Sequence, residues 1–181
     1  MRTAVPFYLH PAEHPTAWQA LLSGRLDVAF AVVNVFDGPG QDVDPYYAPV
    51  LAEPREVPLV GYVDVAYGAR PTAEVLLDAE RWSHWYGIDA VMLDRVPTVP
   101  QVDHWTFGTM DALRESGARL VVANPGTVPD LGLLEVADVT CVMEVGWDLV
   151  GDGMPLPTVD APPAKVWHLV HGVPPEHVEG V

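Results

Sequence analysis

Residues 59–94 read LVGYVDVAYGARPTAEVLLDAERWSHWYGIDAVMLD, and this stretch decides the fold. An apolar run, Val57–Val63, stops on Asp64. A helical pattern follows, and a second apolar run, Ile88–Leu93, stops on Asp94. Val75, Leu76, Ala79, Trp82 and Tyr86 form an i, i+3, i+4 stripe, which predicts a helix over 71–86. Pro71 suits its first turn and Gly87 its stop. Strand, helix and strand in about 30 residues make a βαβ unit.

The same step recurs outward in both directions. Asn34, Asp64, Asp94 and Asn124 lie at equal intervals, each closing an apolar run. Including the flanking segments, seven runs appear: Ala4–Leu9, Leu26–Val33, Val57–Val63, Ile88–Leu93, Leu120–Ala123, Val139–Met143 and Val166–Trp167. The residues that close them are His10, Asn34, Asp64, Asp94, Asn124, Glu144 and His168. The runs are nearly continuous in Val, Ile, Leu and Ala, as in parallel strands buried on both faces. Parallel strands place their carboxyl ends on one face, where (β/α) barrels hold their active sites. The prediction is an α/β fold, a single (β/α) TIM-type barrel domain over 1–181. Seven strands leave it incomplete, truncated at the C-terminus with the final helix and strand missing. Shorter helices are expected over 16–23, 44–53, 104–116 and 130–136, and a long loop over 149–163.

Composition narrows the function classes. The protein has 181 residues, 49% of them hydrophobic, enough for one sizeable core. Its net charge is -16, which argues against nucleic acid and anionic membrane surfaces as partners. A neutral or cationic substrate fits. The single cysteine, Cys141, lies in an apolar run and reads as a buried small hydrophobe. No signal peptide precedes the first run, so the expected compartment is the cytoplasm, or outside the cell if a leader has been removed. No phosphate-binding loop and no Gly-x-Ser-x-Gly elbow are present, and no cofactor is expected. His168 and His171 do not complete a metal-ligand pattern with Glu144.

Several motifs, taken together and in order, resemble one family. They are Val5-Pro6-Phe7-Tyr8-Leu9-His10-Pro11, Ala31-Val32-Val33-Asn34-Val35 with Gly38-Pro39-Gly40, and Gly61-Tyr62-Val63-Asp64 with Tyr67-Gly68. Trp85-Tyr86-Gly87-Ile88-Asp89 running to Asp94, and Asn124-Pro125-Gly126, complete the set. The pattern is similar to the spherulation-specific family 4, the spherulin-4-like proteins. The resemblance implies a (β/α)-barrel glycoside hydrolase that cleaves α-1,4-linked N-acetylgalactosamine inside galactosaminogalactan-type polysaccharide. By position it implies catalytic carboxylates at Asp94 and Glu144. The family often carries a second acid directly after the strand-four Asp. Here that position is Arg95.

Glycoside hydrolysis needs two carboxyl groups across the scissile bond. Asp94 and Glu144 have the right chemistry at the ends of separate strands. Glu144, between Met143 and Val145, is read as the acid if its surroundings desolvate it. A plain loop carboxylate is the competing reading. A second route has the substrate's own acetamido group attack while one carboxylate orients it. Asp64, with Tyr62 and Tyr67, is read as substrate-binding, against a turn-capping role. His10 is read as substrate-binding, against loop hydrogen bonding; Asn34 and Asn124 as substrate-binding, against serving as hydrogen-bond hubs at the barrel mouth; and His168 as substrate-binding. Trp147 is a sugar-stacking candidate. An open barrel also predicts self-association through the unpaired edges of its first and last strands.

Overall fold

The computed structural model describes residues 3–98 and 103–180. Seven strands form one parallel sheet in sequence order. They are β1 (Thr3–Pro6), β2 (Val28–Val33), β3 (Leu59–Asp64), β4 (Ala90–Asp94), β5 (Leu120–Asn124), β6 (Val139–Gly146) and β7 (Val166–His171). Between them run α1 (Pro15–Leu22), α2 (Tyr47–Leu51), α3 (Thr72–Tyr86), α4 (Asp103–Glu115) and α5 (Leu131–Val136). α6 (Trp147–Gly151) lies between β6 and β7. The sheet curves into a nearly closed (β/α) barrel. No ladder joins β7 back to β1 among the described residues.

Two separate apolar clusters mark the two faces of the sheet. Inside are Phe30, Val32, Val60, Met92, Val122, Cys141, Trp167 and Leu169, with Ala4 of β1 packed against them. Phe30 of β2 meets Trp167 of β7 edge to face at 5.5 Å, so an aromatic contact spans the barrel interior. Outside, Ala31, Val33, Val63, Val91, Leu93, Val121 and Ala123 pack against the helices. Residues alternate between faces along a strand. From Phe30 onward the even-numbered residues of β2 to β5 therefore face inward, and the four residues of the 30-step series share that parity.

Cys141 is fully buried, and burial pushes its thiol up to about 12. That is the inert small hydrophobe predicted from sequence.

Three boundaries differ from expectation. The first strand ends at Pro6 rather than Leu9, although Phe7 N–H still bonds Val32 O at 2.7 Å. The second helix starts only at Tyr47, after a turn in which Asp44 Oδ1 accepts from the N–H groups of Tyr46 and Tyr47 at 2.8 and 3.0 Å. The loop expected over 149–163 begins inside α6, and a 3-10 turn, Pro163–Lys165, leads into β7. No helix among the described residues is long and apolar enough to cross a membrane.

Candidate active site

Register builds the site. Asp64 pairs with Asp94 across β3 and β4, and Asp94 with Asn124 across β4 and β5. Three inward polar residues thus stand side by side at the carboxyl ends of three neighbouring strands. Asn124 is buried, and its Nδ2 donates to Asp94 Oδ1 at 2.8 Å and to Glu144 Oε2 at 2.7 Å. Both hydrogens of one amide are therefore spent on two carboxylates. The two oxygens can be no farther apart than those bonds laid end to end. The amide oxygen is fixed too, accepting from Gly126 N–H at 2.9 Å. Tyr62 Oη donates to Asp94 Oδ2 at 2.8 Å, so each oxygen of Asp94 accepts a bond.

Glu144 arrives by an irregular route. β6 pairs with β7 as Cys141↔Trp167 and then Met143↔His168, so Val142 is an extra residue in the ladder. This bulge reverses the alternation beyond it. Counting from inward Cys141 without a bulge would turn Glu144 outward. With it, Glu144 pairs with Leu169, an inward residue, and reaches Asn124. Glu144 is exposed to the cleft, so Met143 and Val145 do not bury it as the sequence suggested.

Tyr8 joins the cluster without having been expected there. It follows Ala4 and Pro6 in inward parity, and its ring meets Tyr62 edge-on at 6.1 Å. Burial, and then the charges of Asp94 and Glu144, push its phenol well above the usual tyrosine range. Burial and the bond to Asp94 do the same to Tyr62. Both phenols therefore stay protonated donors. The period-two count from Ala4 is the signal that could have found Tyr8.

Asp64 stands next to this cluster but is differently engaged. Arg95 Nε donates to Asp64 Oδ1 at 2.7 Å and its Nη2 to Oδ2, while Ala66 N–H also bonds Oδ1 at 2.8 Å. Burial alone would raise the Asp64 carboxyl. The Arg95 and Ala66 bonds outweigh it and hold the group below the usual carboxylate range. Arg95 reaches β3 from a left-handed backbone, with φ 59°. It therefore pairs with Asp64 and not with adjacent Asp94. Its guanidinium lies over the Tyr67 ring at 5.6 Å.

Other predicted residues have different surroundings. Asn34 Oδ1 accepts from Gly38 N–H at 2.8 Å and so organises the loop after β2. His10 packs edge-on to Tyr46 and Tyr47, at 5.2 and 5.6 Å, with its Nδ1 buried and unpartnered. His168 does not join the cluster. It alternates with inward Trp167 and Leu169, and its Nε2 lies 3.0 Å from Pro157 O. Trp147 is stacked on His177 at 5.0 Å, so one face of its ring is covered. A surface cavity of about 460 Å³ beside α3 and the end of α4 shares no residue with the carboxylates, and its Asp89 is bonded by Ser83 at 2.8 Å.

Comparisons with known proteins bear on the family and the fold. The family model for spherulation-specific family 4 matches residues 2–180. Spherulin-4 of Physarum polycephalum is 26% identical over 151 residues, 80% of this chain. The protein spans only 45% of the length of that relative. The crystal structure of Aspergillus clavatus Sph3 in complex with GalNAc matches with a TM-score of 0.76 at 25% identity. The match covers 97% of this chain and 79% of Sph3.

Proposed function

The chain belongs to spherulation-specific family 4, and from that premise we propose that it is a glycoside hydrolase acting on polysaccharide containing N-acetylgalactosamine or galactosamine, of the endo-α-1,4-galactosaminidase type. The observation that carries this reading is the bridge from Asn124 to both Asp94 and Glu144 at the barrel mouth. GalNAc in the similar Sph3 structure supports the class of sugar.

The bridge also bears on mechanism. Retaining glycosidases hold their carboxyl groups about 5–5.5 Å apart, and inverting ones about 6.5–9.5 Å. One amide touching both acids favours the shorter range. Asp94, with a donor on each oxygen, is the fixed partner that attacks the anomeric carbon or orients the substrate's acetamido group. Glu144, held at one oxygen and open to the cleft, is the group that exchanges a proton with the leaving oxygen. Both routes retain the anomeric configuration. Tyr62 and Tyr8 act as neutral donors beside the developing charge.

Reducing ends released from galactosaminogalactan test the proposal, with polymer binding measured alongside. The wild type is expected to release them. Asp94→Asn and Glu144→Gln should each lower turnover by orders of magnitude while the fold persists, since each removes a charge or proton needed in the transition state. Near-normal turnover in either variant removes that residue from the mechanism. Arg95, standing where the family often has an acid, favours a second reading, a catalytically weakened polysaccharide-binding protein. On that reading the wild type binds polymer and releases nothing.

A further inference from the structure

We propose that the loops after β1, β2 and β3 carry outer sugar subsites, with Phe36, Tyr46 and Tyr67 forming a strip along which a bound glycan extends away from the carboxylates. This rests on the carbohydrate reading above.

The first observation is where exposed aromatic rings stand. Among the described residues, the large exposed hydrophobics that are aromatic are Phe36 at 77%, Tyr67 at 62%, Tyr46 at 56% and Tyr8 at 47%. All four lie on the connections that leave the carboxyl ends of β1, β2 and β3. The exposed non-aromatic hydrophobics are spread more widely: Leu26 precedes β2 and Leu77 is on α3, while Val43, Val128, Leu131, Leu149, Met154 and Leu156 follow β2, β5 and β6. Exposure of one apolar residue needs no explanation, but aromatics gathered at one end mark a surface built for contact.

The second observation is independent of exposure. The non-glycine residues with positive φ among those described are Asp37 at 48°, Ala66 at 47°, Tyr67 at 56° and Arg95 at 59°. Each lies on the same rim, after β2, β3 or β4. Such backbone is costly for residues with a Cβ and collects at ligand-holding segments. It is used here to present rings. The turn after β2 is tied by Gly38 N–H to Asn34 Oδ1, and by Val35 and Phe36 N–H to Gly38 O at 3.0 and 3.1 Å, leaving Phe36 exposed to solvent. Tyr67 is held by its N–H to Arg95 O at 2.8 Å, with the guanidinium over its ring.

The occupant follows from continuity. Tyr8 meets Tyr62, and Tyr62 bonds Asp94, so one exposed ring of this rim adjoins the carboxylates. Aromatic faces match the C–H surfaces of sugars, and rings with a hydroxyl tolerate a wet rim. Several linked sugars, one at the carboxylates and others over the strip, use all of these features. A single sugar does not.

Calorimetric titration of wild type and a Phe36→Ala/Tyr46→Ala double variant with GalNAc and with a long α-1,4-linked oligosaccharide of it provides the test. The wild type is expected to bind the oligosaccharide about tenfold or more tighter than the monosaccharide, and the double variant to lose most of that ratio. Phe36→Tyr should keep it. Both substituted residues are exposed, so the melting temperature should hold. An oligosaccharide advantage absent from the wild type, or intact in the double variant, overturns the strip while leaving the carboxylate site standing. Wild type that binds neither sugar overturns the carbohydrate reading and the strip with it. If the double variant instead abolishes self-association measured by sedimentation and leaves the ratio unchanged, the aromatic rim serves a second copy and the proposal falls.

Discussion

Arg95 shows how a single residue can redistribute charge at the mouth of this barrel. It follows Asp94 in sequence, but its left-handed backbone sends it to Asp64 one strand away. Asp94 is left to Tyr62 and Asn124. The pairing has a pH signature. The folded Asp64 carboxyl lies below its usual range, so its ion pair adds stability that is present above that range and lost as pH falls through the lower folded value. Arg95→Gln removes most of the lowering. Urea melts should find the variant less stable than wild type at neutral pH, with the gap closing as the solution becomes acidic enough to protonate Asp64 in both. A gap that stays constant down to strong acid would mean that Arg95 stabilises by packing on Tyr67 and not through the carboxylate.

β3 and α3 show what the elements require of each other. Trp82 of α3 is fully buried, and its Nε1 donates to Tyr62 O at 2.9 Å. A Cβ on Gly61 would come within 2.5 Å of that indole. Gly61→Ala should therefore destabilise by about 1–3 kcal/mol, as overpacking does. For a protein of this size that lowers the melting temperature by about 2–4 °C per kcal/mol. An unchanged melt would mean that α3 can slide off the sheet at little cost. Much of this level was legible in the sequence. The interval from Asn34 to Asn124 set the strand spacing, and the stripe from Val75 to Tyr86 located α3 to within a residue. Glu144 was singled out because it closes an apolar run, but its inward aim depends on the bulge at Val142. A bulge is fixed by the partner strand β7, which local pattern does not reveal. The pairing of Arg95 escaped for a similar reason, since left-handed backbone at a non-glycine residue leaves no local mark. Tyr8 lay hidden inside a run read as a continuous strand, and His168 was placed by strand position when parity sends it the other way.

At the scale of the molecule, the charge of -16 and the acidic mouth bear on which polymer the proposed site would take. Partly deacetylated galactosamine polymer carries ammonium groups, and its binding should weaken with added salt, because exposed charges are screened beyond about 10 Å at 0.1 M. Fully acetylated polymer is neutral, and its binding should change little. Titrating both at low and high salt separates the cases. Equal salt response for the two would make the negative charge a solvated surface with no part in recognition. The strand order carries a different consequence. Every ladder joins strands that are neighbours in sequence, and among the described residues none ties the first to the last. Opening can then start at either edge and advance one strand at a time, as in a linear array. Amide hydrogen exchange should be slowest in β4, the middle strand of the order, and grow faster step by step toward β1 and β7. A ring closed by a final pairing would exchange as one block, so the slope of protection along the sequence reads out directly that this barrel has two ends.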